Sequence, residues 1–130
     1  MFINTKISNK YFIKIAEIEL SGCSNNNKYI IEYKDFINSL FNENDEFNLL
    51  YDITNITNIP FNLIIEHIKL MKTRNENIKL LLKKCAIVLN SSIAENLVQL
   101  IFKLKPPICD VKIFNTKKDA KIWLKNTLEF

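Results

Sequence analysis

The apolar and polar positions of this chain change period several times, and each change marks an element. Phe2 to Ile7 and Tyr11 to Leu20 flank Ser8-Asn9-Lys10. The second run alternates, with Phe12, Lys14, Ala16, Ile18 and Leu20 facing one way and Ile13, Ile15, Glu17 and Glu19 the other. A period of two is the mark of a strand. The pattern therefore predicts an N-terminal hairpin whose turn is supplied by Asn9, a residue that tolerates positive φ. Ser21-Gly22-Cys23-Ser24-Asn25-Asn26-Asn27 reads as a loop. The spacing then lengthens to that of one helix face through Ile30, Tyr33, Ile37, Leu40 and Phe41, and residues 42–46 close the helix.

Phe47 to Ile53 is the next strand, central by its apolar character, and Thr54 to Ile59 forms the connection. Pro60 suits a first helical turn, with Asn58 as its cap. Ile64, Ile65, Ile68 and Met71 make the buried stripe of this helix, which is expected to form a third layer. Residues 73–77 break it. Ile78, Leu81 and Leu82 return to the core, and Lys83-Lys84 end the helix where its dipole favours positive charge.

The last third is the most regular. The run Cys85-Ala86-Ile87-Val88-Leu89 stops at Asn90-Ser91-Ser92, and a helical repeat follows through Ile93, Leu97, Val98, Ile101 and Leu104. Ser92-Ile93-Ala94-Glu95 fits a capping box, and Thr116 to Asp119 repeats that spacing. Pro106-Pro107 leads to the strand Val111-Lys112-Ile113-Phe114 and a final amphipathic segment ending in Ile122-Trp123-Leu124. Alternating strands and helices specify an α/β fold. The expected architecture is one domain over residues 1–130, with a mixed, mostly parallel sheet of four to five strands, an N-terminal hairpin and about four helices.

Composition narrows the classes. A hydrophobic share of 48% with one Gly and three Pro describes a packed globule rather than a linker. The longest apolar runs fall far short of a membrane span, and the first residues lack the pattern of a signal peptide, so an intracellular, cytoplasmic protein is expected. Cys23, Cys85 and Cys109 are odd in number and widely spaced, which argues against a disulfide framework or a zinc site. Cys85 reads as a small buried hydrophobe. The net charge of +4 divides into −4 over residues 1–68 (five Lys against nine acids) and +8 over residues 69–130 (thirteen Lys or Arg against five acids). A basic half can attract polyanions; lysines on solvated helix faces explain it as well, and nucleic acid is not the expected partner.

No motif spells out a reaction. His67 is the sole histidine and sits beside Ile64, Ile68 and Met71, without the partners that a catalytic triad or a metal site requires. No P-loop, dinucleotide fingerprint or hydrolase elbow is present. The chain is therefore expected to be no enzyme and to need no cofactor or metal. In open α/β sheets, ligands gather at the carboxyl ends of strands. Asp52-Ile53-Thr54-Asn55, Asn90-Ser91-Ser92 and Asn115-Thr116 are polar ends of this kind, able to hold an anion with free helix N–H groups or simply to cap helices. Tyr29, Tyr33, Phe36, Phe41 and Phe61 could give an aromatic surface, and Lys117, Lys118, Lys121 and Lys125 could give a basic one.

Leu49-Leu50-Tyr51-Asp52-Ile53-Thr54-Asn55-Ile56-Thr57 resembles the strand and turn that precede the signature helix of STAS domains, the fold of the anti-sigma factor antagonists. Ala86-Ile87-Val88-Leu89, Phe102, Pro106, Ile113-Phe114, Ala120 and Trp123-Leu124 are similar to the SpoIIAA-like subgroup, which stands beside lipid-transfer domains of the CRAL-TRIO type. The resemblance covers nearly the whole chain and implies a STAS-like fold. The phosphoregulated relatives open the helix with an Asp-Ser-Ser/Thr-Gly-like motif. Here Pro60-Phe61-Asn62-Leu63 stands in its place, with no hydroxyl and no Gly, and Thr57 is the nearest threonine.

The resemblance implies a non-catalytic interaction or regulatory module without the phosphorylatable serine, meeting an unknown protein partner or a second copy of itself. The contact surface it suggests is the 54–61 turn and the helix that follows. The alternative is a small-ligand or lipid-binding domain using the strand ends, although 130 residues leave little apolar material to line a cavity of several hundred cubic ångströms. The candidate binding residues are Asp52, Thr54, Asn55, Thr57, Asn58, Phe61, Asn90, Ser91 and Ser92.

Overall fold

The computed structural model describes residues 2–9, 13–22, 27–57 and 61–126. In chain order the elements are β1 (Phe2–Ser8), β2 (Lys14–Ser21), α1 (Asn27–Asn42), β3 (Phe47–Asp52), α2 (Phe61–Thr73), α3 (Asn75–Leu81), β4 (Leu82–Val88), α4 (Ser92–Leu104), β5 (Asp110–Phe114) and α5 (Lys117–Lys125). The five strands form one sheet in the order β1-β2-β3-β4-β5, antiparallel at the first pair and parallel elsewhere. The α/β class, the hairpin and the break between α2 and α3 agree with the pattern of the sequence. The two most apolar strands are neighbours, with Leu49 opposite Cys85 and Asp52 opposite Val88.

The sheet is covered unequally. Ala16, Ile18, Leu20, Leu49, Cys85 and Ile87 face a core shared with α1, α2, α3 and α4. On the other face, Ile15, Leu50, Ala86 and Val88 meet only Ala120 and Leu124 of α5, flanked by Phe114 and Trp123. Crossovers between parallel strands are right-handed, and β2 to β5 are added in one direction. Each crossover helix is thereby placed on the same side. α2 thus shares a layer with α1, and α5, which crosses to no further strand, is free to form the third layer.

Several local expectations are corrected. A tight turn at Asn9 would pair Ser8 with a nearby residue, yet Ser8 lies opposite Ile15, so the connection is longer; Lys10, Tyr11 and Phe12 lie outside the described residues. That register places Ile3 opposite Leu20, on the strand face that is buried. In α2 the buried residues are Leu63, Ile64 and Leu70, while Ile65 is exposed, because the helix presents its Leu63 side to α1 and the sheet. In α5 the burial falls on Ala120 and Leu124, one turn apart, and Ile122 points to solvent. The cap of α4 is Ser91, not Ser92. Ser91 has extended backbone angles and its hydroxyl accepts from the Ala94 N–H at 3.2 Å, so Glu95 lies one position too far along for the reciprocal bond of a capping box. At α5 the sequence and the structure agree, Thr116 Oγ1 accepting from the Asp119 N–H. Asn58 and Pro60 lie outside the described residues, as does Cys23.

Helix α3 ends at Leu81 rather than at Lys83-Lys84, and strand β4 begins at once. Between Phe47 opposite Leu82 and Leu49 opposite Cys85 the register shifts, with one extra residue on β4. A bulge leaves a backbone group without its ladder partner. Asn48, 2% exposed, supplies the substitute: its Oδ1 accepts from the Lys84 N–H at 3.0 Å, and its Nδ2 donates to Leu124 O at 2.8 Å. Lys83 Nζ still reaches back to Leu80 O at 3.2 Å. Lys84 serves a different helix. Its buried ammonium donates to Trp123 O and Asn126 O at the carboxyl end of α5 and lies 4.9 Å from the centre of the Trp123 ring.

Candidate functional site

Helices α2 and α4 do not close over the sheet between them, and an apolar cleft of about 150 Å³, partly open to solvent, remains on the four-helix face. Leu49, Ile87 and Val111 of the strands form its floor. Ile64 and Met71 line one wall and Val98 and Phe102 the other, while Lys105 to Ile108 stand at the connection to β5. The sequence led to the expectation that little apolar material would be left for a cavity. The structure opens a small one, because α4 spends several of its apolar residues, Ile93, Leu100 and Leu104, on solvent.

Three polar groups interrupt this wall. Tyr33 comes from the buried face of α1, Tyr51 from β3 and His67 from α2, and all three line the cleft. Tyr33 Oη stands 2.7 Å from Tyr51 Oη and 2.6 Å from His67 Nδ1, and the Tyr51 and His67 rings meet edge to face, their centres 6.3 Å apart. Removal from water dominates their titration. It raises both phenols well above their ordinary value and pulls His67 down from 6.5 to about 4. The trio is therefore uncharged at neutral pH. Cys85 and Cys109 lie on the same lining; burial raises both thiols, Cys109 to about 11, so neither is a ready nucleophile. Among the described residues no group of three His, Cys, Asp or Glu is placed to hold a metal ion.

The polar strand ends form a separate region. Ile53 N–H donates to Val88 O and Leu89 N–H to Phe114 O, so the ends of β3, β4 and β5 lie side by side. Asp52 is buried and its carboxylate is already engaged. Oδ1 accepts from the Thr54 N–H at 3.1 Å and the Thr54 hydroxyl at 2.8 Å, and Oδ2 faces Lys117 Nζ at 3.4 Å. Lys117 and Lys121 also reach Glu17, at 3.6 and 3.0 Å. Desolvation alone would lower Lys117, but Glu17 and Asp52 outweigh it and hold the ammonium above its ordinary range. Two of the four lysines suspected of forming a basic surface on α5, Lys117 and Lys121, are thus paired with carboxylates. Asn55 accepts from Gly22 through its backbone carbonyl, the one glycine of the chain having a φ of 73° there. Thr57, Asn90 and Ser92 are exposed, Ser91 caps α4, and Asn58 falls outside the described residues. None of the described residues among them lines the cleft. Of the five aromatics considered for a surface, Tyr33 and Phe41 are buried, Tyr29 and Phe36 pack against the core, and Phe61 alone is exposed, at 69%.

A sequence model described as SpoIIAA-like matches residues 15–125 of the chain. The chain belongs to the SpoIIAA-like family. No curated protein matches it. Among solved structures, an uncharacterized protein with a SpoIIAA-like fold from Shewanella loihica PV-4 superposes with a TM-score of 0.62 at 19% identity, covering 95% of this chain and 92% of that one. This likeness carries the fold. No helix among the described residues is long and apolar enough to cross a membrane.

In this SpoIIAA-like domain the trio at the cleft was missed in the sequence. Tyr33 reads as one more core position of α1, Tyr51 as a strand residue, and His67 as a histidine without partners. The available signal was that all three fall on apolar faces of their elements. A polar tip at such a position needs a partner, and three of them in three elements are able to satisfy one another.

Proposed function

We propose that this SpoIIAA-like domain is a non-catalytic binding module that holds a small apolar molecule in the cleft between α2 and α4. The cleft itself carries the reading: about 150 Å³ lined almost wholly by apolar side chains, with a few convergent polar atoms at its wall. Enclosed apolar cavities of roughly this size take ligands as small as benzene. Native mass spectrometry of gently purified protein should show a retained small molecule, or the protein should gain thermal stability from a panel of small apolar compounds. At a free concentration of about 100 times Kd, stabilisation is about 2.7 kcal/mol. Leu97 of α4 also lines the cleft, and Leu97→Trp, which adds bulk there, should abolish that gain. A protein that retains nothing and responds to no compound would refute the reading.

A second reading is favoured by one observation, the exposed Phe61 beside the polar turn at the end of β3. Here the region from Thr54 to Phe61 with the outer face of α2, together with Asn90, Ser91 and Ser92 at the neighbouring strand end, meets a protein partner or a second copy of the chain. Pro60-Phe61-Asn62-Leu63 offers no hydroxyl, so recognition of this kind would work without phosphorylation at the opening of α2. Size-exclusion chromatography with light scattering should then give a dimer that Phe61→Ala shifts to monomer with the fold intact. A strict monomer with no protein partner affected by that substitution would count against it.

A further inference from the structure

The three polar groups of the cleft form a chain of hydrogen bonds whose proton count restricts what can dock on it. Tyr33 Oη carries one proton and lies within bonding distance of both neighbours, so it donates to one and accepts from the other. If it donates to His67 Nδ1, the histidine proton sits on Nε2, and Tyr51 donates inward to Tyr33. The ends of the chain then offer a donor at Nε2 and an acceptor at Tyr51 Oη. If Tyr33 donates to Tyr51 instead, His67 gives its Nδ1 proton to Tyr33. The ends then offer an acceptor at Nε2 and a free Tyr51 proton. In either arrangement one end gives and the other takes, and no formal charge is present. Nε2 has no partner among the described residues and is not sealed off in the interior, and both end residues line the cleft.

Resting on the ligand-binding reading above, we propose that the cleft selects small uncharged molecules bearing a hydroxyl or carbonyl group, which docks on the His67–Tyr33–Tyr51 chain while the apolar body fills the space between α2 and α4. A hydroxyl can engage either end because it gives and accepts, and a carbonyl accepts from the donor end, which is Nε2–H in one arrangement and the Tyr51 hydroxyl in the other. An anion is disfavoured on this wall. It would leave water without a cation there to neutralise it, and burying an uncompensated charge is costly. Lys105, the cation on the lining, is held at the rim, its Nζ donating to Asn75 Oδ1 at 3.0 Å and to Pro106 O at 3.4 Å.

The test uses the full chain and three probes of one shape near neutral pH: benzene, phenol and benzoate, titrated by calorimetry or by chemical-shift perturbation. One net hydrogen bond of about 0.5–1.5 kcal/mol makes phenol about 2- to 12-fold tighter than benzene, and benzoate is expected to bind at least about tenfold more weakly than phenol. When His67→Phe and Tyr51→Phe together remove both ends of the chain, the phenol-to-benzene ratio should fall toward one. Binding of none of the probes would overturn the ligand-binding reading itself. Benzene binding with no preference for phenol, benzoate equal to phenol, or a ratio that survives both substitutions would leave that reading standing and overturn this inference alone.

Discussion

Replacing Asn48 with leucine is expected to destabilise the domain by about 3 kcal/mol, far more than a polar-to-apolar exchange in a strand suggests. The side chain is fully interior and joins three elements: β3, which carries it, β4 through the Lys84 N–H, and α5 through Leu124 O. Leucine is close in size and satisfies neither group. Each buried group left without a partner costs about 1–3 kcal/mol, and the added apolar surface offsets only part of that. The extra residue in β4 makes the loss hard to repair, since the freed amide has no ladder carbonyl opposite it. Urea unfolding followed by circular dichroism checks the value as a lowered midpoint at unchanged slope. A loss below about 1 kcal/mol would mean that the bulge finds other partners.

The second large effect is a loss of stability in mild acid that traces to one side chain. Folding lowers the pKa of His67 from 6.5 to about 4 by desolvation. Below pH 6.5 the unfolded chain takes up a proton that the native protein refuses, so stability falls as pH drops through the window from 6.5 to about 4 and levels off beneath it. The full loss is about 3 kcal/mol. Glu66, whose carboxyl is held low by its hydrogen bond and charge pairing with Lys34, adds a loss of the same sign at lower pH. Unfolding of the native protein and of His67→Leu across this window separates the two contributions. The substitution should remove the slope between 6.5 and 4 while lowering stability at neutral pH, where Tyr33 loses a partner. An unchanged slope would place the acid sensitivity elsewhere.

Much of the fold is legible in short-range patterns. The alternation over Lys14–Leu20, the apolar runs of β3 and β4 and the helical spacing of α1 and α4 each follow from which faces must leave water. Asn44, with a φ of 60° just after α1, is the residue type that tolerates such a turn, as the polar stretch over 42–46 suggested. The pattern is ambiguous where two elements abut without a breaker. Leu81-Leu82-Lys83-Lys84 reads equally as the last turn of a helix or the start of a strand, and only pairing with Phe47 and Asp110 decides it. The identity of the α4 cap is ambiguous in the same way, since Ser91 and Ser92 are equivalent in sequence and differ only in backbone angles.

The family of the chain was also legible, since the residues that carry the resemblance are core and turn residues whose spacing the fold constrains. What the domain offers to a ligand was not. Tyr33, Tyr51 and His67 lie 18 and 34 residues apart along the chain when counted from Tyr33, and no local pattern relates them. The amino-acid order by itself determined the elements, their succession and the α/β class, because periodicity and turn chemistry act over a few residues. Tertiary structure alone decided which side each helix took, where α2 and α4 left a gap, and which buried polar tips met inside it. Those outcomes depend on crossover handedness and on packing between distant segments, which a linear pattern does not encode.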